Sequence, residues 1–216
     1  MSATVSSTLW ESIGGQLRHP AGLAGDLTGY LMRYLNAQPN RLAIRVLRIE
    51  AGHDVLELGC GPGHALALMA ARTVHGTVHG IDQSDTMLAQ ARRRNRRAIL
   101  AGRVRLHPAR FDKLPLADGS IDRILGVNVA YFWDDPAAIL EEARRVLRPD
   151  GMLAVYVTDA SAMRHWKFAS DRTHRLFDRD SLREVLRTGG FDDEAIDIAE
   201  IPVGPGLPGL IATARK

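Results

Sequence analysis

The run Val55-Leu56-Glu57-Leu58-Gly59-Cys60-Gly61-Pro62-Gly63-His64 constrains the fold more than any other stretch of the chain. An apolar segment carrying one acid is followed by glycine at alternate positions, and helix-forming residues resume at Ala65. A strand, a tight loop and a helix start in that order turn the first backbone amides of the helix toward whatever lies above the loop. Glycine at 59, 61 and 63 permits positive φ and leaves no Cβ between the backbone and a ligand. The loop therefore reads as the seat of a nucleotide-like molecule.

Spacing narrows the choice. A dinucleotide fingerprint needs glycine at the first, third and sixth places, and the sixth place counted from Gly59 is His64. The phosphate loop ending in Gly-Lys-Ser/Thr is absent. An acid two residues before G-x-G-x-G resembles the first motif of the class I S-adenosylmethionine-dependent methyltransferases, in the group that includes quinone-biosynthesis enzymes. The resemblance extends from about residue 41 to residue 158. It implies a Rossmann-like, seven-stranded, mostly parallel sheet with an antiparallel C-terminal strand and helices on both faces. It also implies S-adenosyl-L-methionine as cofactor, S-adenosyl-L-homocysteine as product, and methyl transfer by in-line displacement to oxygen, nitrogen or carbon of a small molecule.

The pattern along the chain agrees. Residues 1–40 read as a helical N-terminal arm or cap, with Leu27, Tyr30, Leu31, Tyr34 and Leu35 at helical spacing. Residues 41–216 read as the cofactor-binding domain. Helical pattern spans 41–49, 65–72, the segment capped by Ser84, 136–147 and 180–187. Strand pattern spans 54–58, 77–81, 103–106, 121–127, 152–157, 195–203 and 210–214. Alternation of the two predicts a parallel sheet, and two final strands with no helix between them predict an antiparallel finish.

Asp82 lies nineteen positions beyond Gly63 at the end of the second strand, where a carboxylate can accept from both hydroxyls of a ribose. Gln83 and Met87 follow as flanks for the adenine, although Met87 also suits an ordinary core position. Glu57, beneath the loop, is placed by the resemblance against the loop amides and the ammonium of the methionine moiety. Similar sequences carry an Asp before Leu-Pro-Phe that here falls on Arg110. Arginine has no acceptor for an adenine amino group, so that contact either comes from elsewhere, with Asp112 the candidate, or is lost, while the backbone and ring of Phe111 remain candidates for the adenine edge and face. Asn128, past the fourth strand, is expected between cofactor and substrate. Glu141 to Gly151 matches the family as an amphipathic helix stopped by Pro149.

Tyr131 and Trp133, with Phe132 between them, form an aromatic cluster on the expected substrate side, joined by Tyr30 of the arm and Trp166 of a lid-like segment. His165 and His174 in that segment are the histidines expected to serve as base, with His64 as a weaker candidate. No metal-ligand motif is present, and transfer from an activated sulfonium needs none. The single cysteine, Cys60, excludes an intrachain disulfide and reads as a small space-filling residue.

The formal charge is +3, and only three lysines occur. Arg92 to Arg97, broken by Asn95, forms a basic run without interleaved aromatics, which reads as a solvated helix face aided by the helix dipole rather than a nucleic-acid site. With no apolar stretch of membrane-spanning length and no secretory leader pattern, the chain reads as cytoplasmic, monomeric or homodimeric, and partnered by a small-molecule substrate. A non-catalytic cofactor-binding module and an RNA methyltransferase are the competing readings.

Overall fold

The computed structural model of the chain describes residues 36–166, 174–203 and 207–216. Seven strands, β1 (Val55–Leu58), β2 (Val78–Asp82), β3 (Val104–Pro108), β4 (Ile121–Val127), β5 (Leu147–Thr158), β6 (Ile196–Val203) and β7 (Leu207–Arg215), form one sheet in the order β3-β2-β1-β4-β5-β7-β6. β1 pairs in parallel with β2 and β4, β2 with β3, and β4 with β5. β7 runs antiparallel to both β5 and β6, the finish that the missing crossover helix required.

The helices are α1 (Ala37–Val46), α2 (His64–Ala70), α3 (Asp85–Arg94), α4 (Arg96–Leu100), α5 (Pro136–Val146), α6 (Ala160–Met163) and α7 (Arg179–Thr188). One face of the sheet buries Leu56, Leu58, Ile124 and Leu153 against Leu140 and Ala143 of α5 and Leu182 and Leu186 of α7. The opposite face buries Val55, Leu125 and Ala154 against Ile44 of α1, Leu66 and Met69 of α2, and Leu88 and Ala91 of α3. Each large apolar side chain so enclosed contributes roughly 1.5–3 kcal/mol. Helix starts are set by local chemistry. Ser84 accepts from the Met87 amide, Asp135 caps α5 ahead of Pro136, and Asp178 and Ser181 form a reciprocal capping box on α7.

Three boundaries differ from expectation. α1 begins at Ala37, four residues early, because Pro39 falls in the first turn, where its missing N–H is no loss. β5 begins at Leu147, which pairs with Ile121, so α5 ends at Val146 before Pro149 is reached. The helix after Asp82 is two helices. At the break the buried Asn95 turns its side-chain amide back onto the carbonyls of Gly63 and Ala91.

β1 lies between β2 and β4, whose crossovers depart in opposite directions, so a crevice opens above the carboxyl ends of β1, β2 and β4. Arg145 and Glu142 of α5 fix one wall of that crevice. Arg145 donates to the carbonyls of Leu114 and Leu116, and Glu142 accepts from the Leu114 amide. The Glu-Glu-Ala-Arg-Arg segment is thereby structural, as read from the sequence. Among the described residues no helix is long and apolar enough to cross a membrane.

At the β2–β3 edge, His79 and His107 stack with ring centroids 5.3 Å apart, and Nδ1 of His79 lies 3.1 Å from Nε2 of His107. Burial, then the neighbouring His107 and Arg105, lowers the His79 pKa to about 4, and burial with Arg105 lowers that of His107. Folding therefore favours the neutral pair. Its contribution is complete above pH 6.5 and is lost as pH falls toward 4, a span worth about 3 kcal/mol for His79. In urea titrations His79→Phe is expected to lose clearly less stability than wild type between those two pH values. Parallel losses in the two proteins would contradict this account.

Candidate functional site

Glu57 occupies β1 on the side facing α2 and is 4% exposed. The Leu66 amide bonds to it, yet Oε2 is buried with no hydrogen-bond partner among the described residues. Burial, and after it the charge of Asp82, raises its carboxyl well above the usual range, against the pull of the Leu66 amide. Asp82, at the end of β2, is engaged differently. Its Oδ2 accepts from the Gly61 amide at 2.8 Å and its Oδ1 from the Ser84 amide at 2.9 Å, so one carboxylate joins the glycine loop to the start of α3.

The three loop glycines all have positive φ, at 68°, 48° and 77° for Gly59, Gly61 and Gly63. Their missing side chains serve two purposes. A Cβ on Gly59 would lie 2.5 Å from Cγ2 of Val129, and one on Gly63 would lie 2.5 Å from Nδ2 of Asn95 and 2.9 Å from Cβ of Ala91. A Cβ on Gly61 would meet no atom within 4 Å. Gly61 thus has open space at its missing side chain, whereas the Cβ positions of Gly59 and Gly63 are taken up by packing; Gly59 still lines the cleft and Gly63 does not. From α3, Arg94 Nε donates to the Pro62 carbonyl at 3.2 Å and Asn95 to the Gly63 carbonyl at 3.0 Å, which holds the loop from behind. Burial, with the charges of Asp82 and Glu57, keeps the Cys60 thiol protonated, as suits a space-filling residue.

Glu57, Gly59, Gly61, Asp82, Gln83, Met87, Arg110, Phe111 and Asn128 all line the cleft, and Gly63 does not. The Arg110 guanidinium forks onto Asp112, with contacts of 2.9 and 2.6 Å. Asp112, the proposed substitute for the family's usual acid, is held by that fork and does not line the cleft. Asn128 has φ of 53°, uncommon outside glycine. Its Nδ2 donates to Oδ1 of Asn36 at 2.7 Å, and its Oδ1 accepts from the Tyr131 hydroxyl at 2.8 Å. That hydroxyl accepts in turn from the Thr158 amide, and burial raises its pKa.

The expected acceptor and base residues are placed elsewhere. Tyr131 stands behind Asn128 as its support, Trp133 is in the core at 3% exposure, and Trp166 packs half-buried against that core. Phe132, between the first two in sequence, lines the cleft instead. His174 is buried with its ring 4.9 Å from that of Phe132, His165 is exposed, and neither lines the cleft. Tyr30 lies outside the described residues. Asn36, Asn40 and Asp134, which no motif singled out, do line it, and among the described histidines so does His64.

The glycine geometry separates packing from access in a measurable way. Gly59→Ala combines positive-φ strain with a clash on Val129, for a loss of about 2–4 kcal/mol in denaturant unfolding. Gly61→Ala carries the strain alone, about 1 kcal/mol. Equal destabilisation by the two would show that Gly61 is also a packing glycine.

Comparison with known proteins gives this geometry its context. The methyltransferase-domain family profile matches residues 56–155. The chain is 31% identical over 190 residues to the uncharacterised methyltransferase YdaC of Bacillus subtilis, covering 88% of this chain and 98% of that one. Over 194 residues it is 33% identical to a Mycolicibacterium smegmatis protein named as a probable S-adenosylmethionine-dependent methyltransferase, across 88% of this chain and 69% of that one. In structure it resembles an S-adenosylmethionine-dependent methyltransferase from Aquifex aeolicus, with a TM-score of 0.66, 19% identity and coverage of 95% and 97%. With a crevice at the sheet's switch point and relatives of this similarity, the chain belongs to the class I S-adenosylmethionine-dependent methyltransferases.

Proposed function

We propose that the cleft seats S-adenosylmethionine with its methionine end at Glu57 and Gly61, its ribose at Asp82 and its adenine between Met87 and Phe111. The methyl group then faces the Asn128 end, where a small-molecule acceptor is held. The observation that carries this reading is the unpartnered Oε2 of Glu57. A buried carboxylate oxygen costs several kcal/mol unless a cation or donor reaches it. An ammonium entering beside the open Cα of Gly61 is a fitting partner, and the methionine moiety carries one.

The bound cofactor supplies an already activated methyl group. The chain's own part is to position, to exclude water and to hold the acceptor's proton. Asn128, fixed at both ends of its side chain, presents a rigid amide toward the acceptor. His64, rather than His165 or His174, is the histidine to test as base because it lines the cleft. The acceptor side is formed by the amides of Asn36, Asn40 and Asn128 and the ring of Phe132, which suits a compact polar molecule. Arg92, Arg93 and Arg96 line a separate groove, which argues against a nucleic-acid acceptor.

Calorimetry with S-adenosylhomocysteine tests the placement. Asp82→Ala is expected to weaken binding by about tenfold or more, and Gly61→Arg to abolish it. Because burial raises the Glu57 pKa in the free protein and an ammonium favours its charged form, binding should release a proton and tighten as pH rises through that raised value. The apparent enthalpy then varies with the buffer's ionisation enthalpy in wild type and not in Glu57→Gln. Undiminished affinity in the Asp82 and Gly61 variants would remove the cleft as the cofactor site. Transfer of labelled methyl to RNA, with none to a panel of small alcohols, amines and carboxylic acids, would overturn the acceptor class.

A further inference from the structure

Arg92, Arg93, Arg96 and Arg97 of the basic run do not line the cofactor cleft, and their surroundings are unusual. Arg92, Arg93 and Arg96 line an open groove along α3 and α4 whose floor is Ala89, Ile99 and Leu100. Leu100 is 77% exposed, more than any other large apolar side chain among the described residues. Residues 85–105 hold seven arginines and one carboxylate, Asp85, a local charge of +6 in a chain that totals +3, so the remainder is net negative. Arg145, Arg148 and Arg183 are each paired with a carboxylate. Arg92, Arg93, Arg96 and Arg97 are exposed, and none has an ion pair among the described residues.

Local structure does not account for this arrangement. Arg92 to Arg94 lie in the last turn of α3, where cations suit the helix dipole. The break at Asn95 puts Arg96 at the first position of α4, where it does not, and leaves Arg97 in the last turn of that five-residue helix. A purely solvated face, the reading from sequence, also leaves Leu100 in water without compensation.

We infer that the α3–α4 groove is the docking site for an acidic amphipathic helix of a partner protein, and that docking is felt at the cofactor loop. Apolar anchors of such a helix fit the Ala89, Ile99 and Leu100 floor, and its flanking carboxylates meet the arginine rim. Nucleic acid fits less well, because the groove offers no aromatic ring for a base and would set Ile99 and Leu100 against phosphate. The chain's own first 35 residues contain two carboxylates, Glu11 and Asp26, and two arginines, so they present no acidic face. The link to the loop is direct. Arg94 and Asn95, between the rim arginines, hold the carbonyls of Pro62 and Gly63.

Fluorescence anisotropy with the full chain tests this, using a labelled, alanine-based helical peptide of about 15 residues with leucine at i, i+4 and i+7 and glutamate only at positions flanking the leucines. Binding is expected, weakened about tenfold or more both by Arg92→Glu with Arg93→Glu and by Leu100→Glu. These variants should keep wild-type affinity for S-adenosylhomocysteine without peptide, which also shows that they fold. Arg92→Ala with Arg93→Ala replaces the charge reversal if that does not. Saturating peptide should shift the wild-type affinity for S-adenosylhomocysteine by about threefold or more, and leave that of the variants unchanged. Absence of peptide binding, indifference to Leu100→Glu, or tighter binding of a single-stranded RNA or of phosphatidylglycerol vesicles overturns the proposal. Peptide binding without a shift in cofactor affinity overturns the coupling to the loop.

Discussion

The grip of the Asp82 carboxylate on the Gly61 amide is the contact from which the rest of the site follows. Three left-handed residues in five cannot join a helix or a ladder; the Gly63 amide turns back onto the Cys60 carbonyl and the Cys60 amide reaches Ile81, which leaves the Gly61 amide to be met by a side chain. An unsatisfied buried amide costs about 1–3 kcal/mol, and a bond to a charged acceptor contributes about as much. Asp82 supplies it from the end of the neighbouring strand and uses its other oxygen to start α3. Strand β2, the loop and α3 are thereby held at one atom group. Arg94 and Asn95 then hold the loop's far side from the other end of the same helix. The loop is braced at both ends of α3, which is how an irregular backbone keeps one shape.

That arrangement places two carboxylates under one loop. Burial, and after it the charge of Asp82, raises the cost of ionising Glu57, and the Leu66 amide offsets only part of it. The chain as a whole is cationic, yet its cleft floor is acidic and its surplus of arginine is gathered on α3 and α4. Charge is therefore segregated, with carboxylates at the cleft and arginines without an ion pair among the described residues on the α3–α4 surface.

Much of this was legible in the sequence, for a physical reason. Strand and helix periods differ, so the alternation from residue 41 onward, the antiparallel finish and the β1-loop-α2 unit could be read from pattern alone. Asp82 was legible because its place at a strand end is fixed relative to the glycine loop. What the pattern could not show was which way a side chain points in irregular backbone. Tyr131, Phe132 and Trp133 are equivalent by composition, but the short turn after Asn128 sends the middle ring to the cleft and the outer two inward. His174 looked like a base because histidine titrates near neutrality, whereas aromatic packing against Phe132 and Tyr131 claims it. Asn36 meets Asn128 across a separation of 92 residues, and no local signal marks such a pair. The break at Asn95 was hidden because arginine and alanine on either side are good helix formers.

Asn128 shows how one end of the cleft is held in place by neutral hydrogen-bonding groups. Asparagine tolerates the left-handed region better than most residues, though at a cost of about 1 kcal/mol or more relative to glycine. Glycine there would relieve the strain but would remove the amide. The strain is offset by bonds at both ends of the side chain, one to Asn36 ahead of α1 and one to Tyr131, which is itself tied to β5 through Thr158. A single side chain thus connects the start of α1, the end of β4 and the end of β5. Tyr131 acts as a fixed donor here, since its burial keeps the hydroxyl protonated. Its ring does not line the cleft, and its hydroxyl positions Asn128.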